Sequence, residues 1–167
     1  MSYDFNVDEV FEMAEQIERN GAKFYRMMAE NISGASIRKL FLNLAAMEDE
    51  HEKTFASMRK DLSYQERKPT VFDPEGEAAL YLRALADLRV FDEERKEDFV
   101  LPEDLPEGEK TRKVLRVAID LEKDSISFYL GMKELIPERL GKNKIGDIIK
   151  EEMGHIRLLS NSLSGNR

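Results

Sequence analysis

The chain has 167 residues, the size of one domain, and its 34 acidic and 26 basic side chains give a net charge of −8. It contains no cysteine, which excludes disulfides, iron–sulfur clusters, thiolate zinc sites and a cysteine nucleophile. The acidic balance, without a basic run, argues against a nucleic-acid or membrane partner. No apolar stretch approaches the roughly 18 residues of a membrane span, and the acidic N-terminus does not resemble a signal peptide. We therefore expect a soluble, cytoplasmic protein.

The apolar pattern predicts four long helices. Their approximate ranges are 6–31, 36–62, 108–135 and 142–163. The first begins near Asn6, because Asn6 and Glu9 have the spacing of a capping box. Between the second and third long helices, the segment EAALYLRALADLRVF predicts a shorter helix with Asp73 as its N-cap.

The lengths of the links between the helices predict the architecture. Short links make two antiparallel hairpins, over 8–62 and 109–163, and the segment 63–108 must carry the chain from one hairpin to the other. We predict an all-α fold in which a single domain over 1–167 forms a four-helix bundle with one long crossover.

An internal repeat carries the polar residues of the predicted core. A shift of 104 residues places Glu18 on Glu122, Glu48 on Glu152 and His51 on His155. Each half therefore has one glutamate and, 30 residues later, a Glu-x-x-His motif that contains one of the chain's two histidines. Each of these residues lies at the middle of a helix seam that is otherwise apolar.

Four ionised carboxylates in a bundle core would be strongly unfavourable without compensation, and no lysine or arginine lies on the four seams. Two divalent cations would cancel the four charges. A glutamate and a histidine three positions apart share one helix face, so both can reach the same pair of ions. Carboxylates with some imidazole and no thiolate favour iron or manganese. The alternative, that both are ordinary core histidines, is disfavoured because they occupy matching positions in the two halves. Gly21 and Ser125 follow the lone glutamates by one turn, and their small side chains leave room beside the metals for a bridging oxygen or a substrate.

Tyr25 and Tyr129 follow their glutamates by seven residues, and so lie on the same helix face two turns away. Two interpretations remain open for them. They are either core tyrosines or hydrogen-bond donors to a ligand carboxylate on the facing helix. Four further acidic residues flank the motifs but point off the seam, and we expect them to be solvated. They are Asp49, Glu50, Glu52 and Glu151.

The motif segments resemble the rubrerythrin-like branch of the ferritin-like di-iron carboxylate proteins. The segments are IERNGAKFY (17–25), EDEH (48–51), LEKDSISFY (121–129) and EEMGH (151–155). The resemblance implies a ferritin-like bundle that holds two iron ions, with manganese as an alternative.

The resemblance also implies roles for the six ligands. Glu48 and Glu152 would bridge both ions. Of the remaining ligands, Glu18 and His51 would complete the coordination of one ion, and Glu122 and His155 would complete that of the other.

The resemblance implies that the protein is an oxidoreductase that reduces hydrogen peroxide. Tyr25 and Tyr129 are candidate catalytic donors. Without cysteine the chain has no rubredoxin domain, so the electron donor would be a separate protein. Rubrerythrins carry a further glutamate one turn after the third-helix ligand, where this chain has Ser125.

Two other functions stay open. One is a ferroxidase or iron-handling protein with oxygen as the oxidant, and the other is a non-catalytic interaction module stabilised by metal.

A homodimer is a further expectation, because the crossover has more apolar residues than one bundle face needs. These residues are Leu80, Tyr81, Leu85, Leu88 and Phe91.

Overall fold

The computed structural model describes residues 6–68, 77–87, 101–102 and 104–165. The helices are α1 (Val7–Asn31), α2 (Ala35–Lys60), α3 (Glu77–Asp87), α4 (Glu107–Leu135) and α5 (Lys142–Gly165), with a 3-10 turn at Glu138–Leu140. The four long helices confirm the predicted ranges to within two residues at each end. The shorter predicted helix is confirmed as α3, but its proposed cap Asp73 lies outside the described residues, as do Leu88 and Phe91.

Local signals in the sequence explain two of the helix boundaries. At the start of α1, the Asn6 side chain accepts a hydrogen bond from the Asp8 amide at 2.7 Å, and the Glu9 carboxylate accepts one from the Asn6 amide at 3.3 Å, so the predicted capping box is confirmed. Before α5, Gly141 has a φ of +100°, and a Cβ atom there would lie 2.6 Å from the Met58 side chain. Glycine is therefore required for the turn that brings α5 back along α4.

The helices pack as two hairpins, α1 with α2 and α4 with α5. Contacts across the hairpins place α1 beside α4 and α2 beside α5. The α1–α4 pair is antiparallel, because Tyr25 contacts Glu122 whereas Glu18 contacts Tyr129. The predicted all-α bundle of two hairpins with a long crossover is thus confirmed.

Helix α3 of the crossover packs on α4. The Tyr81 hydroxyl donates a hydrogen bond to the Ser127 carbonyl oxygen at 2.8 Å, and the Tyr81 ring lies over Gly131. Leu80 and Tyr81 remain 46% and 41% exposed, and the homodimer stays a prediction. None of the helices in the described ranges is long and apolar enough to cross a membrane.

The apolar core consists of two clusters, and each contains residues from all four long helices. The first cluster includes Phe11, Phe55, Met132 and Ile145, and the second includes Met28, Phe41, Leu115 and Leu159. Between the two clusters, near the middle of the bundle, lies a layer of buried polar side chains.

Candidate metal centre

The polar layer contains all six residues that the repeat singled out. Glu18 comes from α1, Glu48 and His51 from α2, Glu122 from α4, and Glu152 and His155 from α5. Each of the six is at most 4% exposed. The 3.6-residue helical period explains why they meet, because each lies at the inward-facing mid-point of its helix.

The six side chains form two overlapping groups of potential ligands. Within each group, one ligand atom from each residue lies within 4.8 Å of all the others. The first group is Glu18, Glu48, His51 and Glu152, and the second is Glu48, Glu122, Glu152 and His155. Glu48 and Glu152 belong to both groups, which is the arrangement that two bridging carboxylates require.

Both imidazole rings direct Nδ1 at the carboxylates. His51 Nδ1 lies 3.1 Å from Glu152 Oε1 and 3.4 Å from Glu18 Oε2. His155 Nδ1 lies 2.8 Å from Glu152 Oε2 and 3.2 Å from Glu48 Oε1. The rings are nearly parallel, with an interplanar angle of 19° and centroids 5.7 Å apart. Each histidine therefore offers the same nitrogen to the centre.

The donor atoms of the layer fit a pair of divalent cations. Buried atoms without a hydrogen-bond partner within the described ranges include Glu18 Oε2, Glu48 Oε1, both Glu152 oxygens and Nδ1 of both histidines. A buried polar atom left unpaired costs on the order of 1–3 kcal/mol. Carboxylate oxygens and imidazole nitrogens around a shared centre are ligands that iron and manganese accept. These residues would hold the ions, two carboxylates being common to both positions.

Burial strongly disfavours the charged form of two of the carboxylates, Glu18 and Glu122. It raises the pKa of Glu18 well above its ordinary value, and the neighbouring Glu48 charge raises it further. Burial likewise raises the pKa of Glu122 to about 7, together with the charge of Glu152. Without metal, the layer thus holds protons that divalent cations would displace.

The histidines supply the positive charge of the metal-free layer. Burial acts to lower the pKa of His155, but the neighbouring Glu122, Glu152 and Glu48 carboxylates outweigh this and raise the pKa to about 12. The pKa of His51 is raised in the same way, most strongly by Glu152. A metal ion at Nδ1 would replace this proton with a larger positive charge.

The two tyrosines hydrogen-bond across the hairpins. The Tyr25 hydroxyl donates to Glu122, and the Tyr129 hydroxyl donates to Glu18. Burial and the nearby carboxylates raise the pKa of both tyrosines, so both retain their protons. Of the two interpretations of these residues, donation to a carboxylate on the facing helix is the one that the structure shows.

The two small residues of the repeat have different surroundings. A Cβ atom at Gly21 would lie 3.4 Å from Glu48 Cγ, so the bare backbone of α1 lies directly against this carboxylate side chain. The Ser125 hydroxyl donates to the Leu121 carbonyl oxygen at 3.1 Å, within its own helix. Ser125 therefore supplies no hydroxyl hydrogen bond to the carboxylates.

One of the flanking acidic residues also contacts the layer. The Glu151 side chain is 52% exposed, as expected for a solvated residue, and it places Oε2 2.9 Å from His51 Nε2. The spacing of Glu151 and His155, four positions apart on α5, was the available signal, because it puts Glu151 on the helix face that meets α2. The other three form surface ion pairs: Asp49 with Arg26, Glu52 with Arg19, and Glu50 with Lys53.

The model of the Rubrerythrin family matches residues 9–110, which include all but the first two residues of α1, all of α2 and α3, and the start of α4. The chain belongs to the rubrerythrin family. A crystal structure from Thermotoga maritima, described as a ferritin-like diiron-carboxylate protein, aligns over 100% of both chains with 25% sequence identity and a TM-score of 0.67. No curated protein matches the chain. The predicted family and fold are confirmed, and the buried Glu/His layer is the part of this rubrerythrin-family chain that could hold metal ions.

Proposed function

We propose that this protein is a non-haem di-iron oxidoreductase that reduces hydrogen peroxide, and that it takes electrons from a separate donor protein. The observation that carries the proposal is the enclosed layer of four carboxylates and two imidazoles, in which two carboxylates belong to both ligand groups. Such an arrangement suits a two-electron reaction, since two one-electron centres can act on one small substrate.

The ligand roles follow the two groups of donor atoms. Glu48 and Glu152 would bridge the ions, while Glu18 and His51 would hold one ion and Glu122 and His155 the other. When bound, a pair of ferrous ions supplies the two electrons that break the O–O bond of hydrogen peroxide.

The remaining contribution of the chain is to position these ligands and to limit access of water. Tyr25 and Tyr129 keep their protons and hold the Glu122 and Glu18 carboxylates by hydrogen bonds. The apolar clusters close the layer on both sides along the bundle axis. Reduction of one peroxide to two waters also consumes two protons, which come from solvent. The electrons that return the ions to the ferrous state would come from the separate donor protein.

The test is a comparison of two oxidants. The protein is loaded anaerobically with Fe(II) and mixed in separate experiments with hydrogen peroxide and with oxygen, and the ferric absorbance is followed in time. We expect the faster reaction with peroxide, and a chemical reductant should restore the ferrous protein for further cycles. The double variant Glu48→Leu/Glu152→Leu, which lacks both shared carboxylates, should show only the reaction of free Fe(II).

Two outcomes would overturn the proposal. If oxygen reacts at least as fast and a large excess of Fe(II) is consumed, the protein is a ferroxidase. If metal binds but neither oxidant reacts faster than with free Fe(II), the centre stabilises an interaction module and catalyses nothing.

A further inference from the structure

The two histidines of the layer differ on the side that faces away from the carboxylates. His51 Nε2 lies 2.9 Å from Glu151 Oε2 on α5. His155 Nε2 is buried and has no hydrogen-bond partner within the described ranges. The inner nitrogens face equivalent sets of carboxylates, although the glutamate three positions earlier lies 3.8 Å from His51 Nδ1 and 2.8 Å from His155 Nδ1. The difference in the kind of partner lies at the outer nitrogens.

The sequence encodes this difference. The offset of 104 residues that superimposes the two Glu-x-x-His motifs places Glu151 on Met47. A methionine thioether is at best a weak hydrogen-bond acceptor, whereas a carboxylate is a strong one. The repeat therefore supplies an outer carboxylate for the histidine of α2 but not for that of α5.

An outer carboxylate changes how a histidine binds metal. With a metal ion at Nδ1, Nε2 of His51 would carry the ring hydrogen, and Glu151 Oε2 lies in position to accept it. Such a hydrogen bond fixes the ring orientation and the tautomer, and it makes the ligating nitrogen a stronger base. His155 has no such support from the described residues.

We propose that Glu151 is a positioning residue that makes the two metal positions unequal. The metal position held by Glu18 and His51 binds iron more tightly than the metal position held by Glu122 and His155. This inference rests on the proposed di-iron centre but not on its reaction with peroxide. Partial exposure of Glu151, whose side chain is 52% accessible, sets the expected effect at the lower end of the range for outer partners, roughly 10-fold in affinity.

The test is the order in which the positions fill with iron. One and then two equivalents of ⁵⁷Fe(II) are added anaerobically to the metal-free protein, and each sample is measured by Mössbauer spectroscopy. In the wild type we expect one quadrupole doublet to dominate after the first equivalent, with about three quarters of the iron for a roughly 10-fold difference in affinity, and a distinct second doublet to reach equal area after the second equivalent.

Variants at the two matching positions test the cause. In Glu151→Gln and Glu151→Met, both doublets should grow together from the first equivalent, and the affinity for the first ion should fall roughly 10-fold. Met47→Glu, which offers His155 the same partner, should also remove the order of filling, but by tightening the second position. Glu50→Gln is the matched control, because it removes one charge from a residue of α2 that pairs with Lys53 instead.

The outcomes separate this inference from the proposed function. Simultaneous filling in the wild type, or ordered filling that persists in both Glu151 variants, would overturn the role of Glu151 while leaving a di-iron centre in place. Failure of the wild type to bind Fe(II) would overturn the centre itself and this inference with it. Circular dichroism of each variant verifies that the bundle is folded before iron is added.

Discussion

The hydroxyl of Tyr129 on α4 donates a hydrogen bond to the carboxylate of Glu18 on α1, and both side chains are almost completely buried. The repeat relates this pair to Tyr25 and Glu122, which make the same contact in the opposite sense. Each hairpin therefore positions the lone glutamate of the other. The two halves cannot shift along each other without breaking both bonds.

Removal of either tyrosine hydroxyl tests its contribution directly. We expect Tyr25→Phe and Tyr129→Phe to retain about two irons per chain and to slow the reaction with peroxide about 10-fold, because the carboxylate loses its positioning donor. Iron content and stopped-flow rates are the measurements. Tyr64→Phe, at a position 76% exposed, is the control and should change neither. An unchanged rate in both core variants would remove the tyrosines from the reaction.

The number of bound ions follows from the two ligand groups. Reconstituted wild-type protein should contain about two iron atoms per chain, as expected for a dinuclear carboxylate site in a bundle. Glu18→Ala and Glu122→Ala each remove a ligand of one position only, and each should lower the content to about one. Elemental analysis after desalting measures this, with Glu138→Ala as a surface control. A wild-type value near one would contradict the dinuclear assignment.

The metal-free protein should lose stability as the pH rises from 5 to 8. The pKa of Glu122 is raised from 4.5 to about 7, so the folded state holds more protons than the unfolded state between these values. Its stability relative to the unfolded chain therefore falls as the pH rises through this window, by on the order of 3 kcal/mol. His155 acts in the same direction, because its raised pKa makes a contribution that is complete below pH 6.5 and is lost as the pH rises toward about 12.

Urea unfolding of chelator-treated protein at several pH values measures this dependence. Glu122→Gln removes one of the titrating groups and should flatten the slope. Addition of Fe(II) or Mn(II) should raise the melting temperature at neutral pH, because the ions bind only the folded layer. A metal-free protein that becomes more stable between pH 5 and 7 would contradict the assigned protonation.

The packing of α3 on α4 is testable with a pair of glycines. A Cβ atom at Gly131 would lie 2.6 Å from the Tyr81 ring, whereas one at Gly154 would meet no atom within 4 Å. We expect Gly131→Ala to lower the free energy of unfolding by about 1–3 kcal/mol through overpacking. Gly154→Ala should raise it by up to about 1 kcal/mol, because alanine favours the helix. Equal stabilisation by both changes would show that Tyr81 does not pack on α4.

Periodicity and the repeat were sufficient to predict the long helices and the residues of the layer. Helical seams specify which face is buried, and matching offsets in two halves single out Glu48 and Glu152 among many glutamates. The spacing of Glu151 and His155 places Glu151 toward α2, but neither signal specifies the rotation of α2 against α5, so the contact between Glu151 and His51 was not predicted. The position of α3 was also beyond reach, because it depends on the fit of Tyr81 over Gly131 rather than on any local pattern.

The division of the apolar core has a consequence for the loss and uptake of metal. All four long helices contribute to the apolar cluster on each side of the polar layer, so apolar packing holds the bundle together on both sides of the metal ligands. The carboxylates and imidazoles between the two clusters can exchange protons for cations while both clusters stay packed. The apoprotein should accordingly keep its helices aligned and regain its ions reversibly, with no refolding step between the empty and loaded forms.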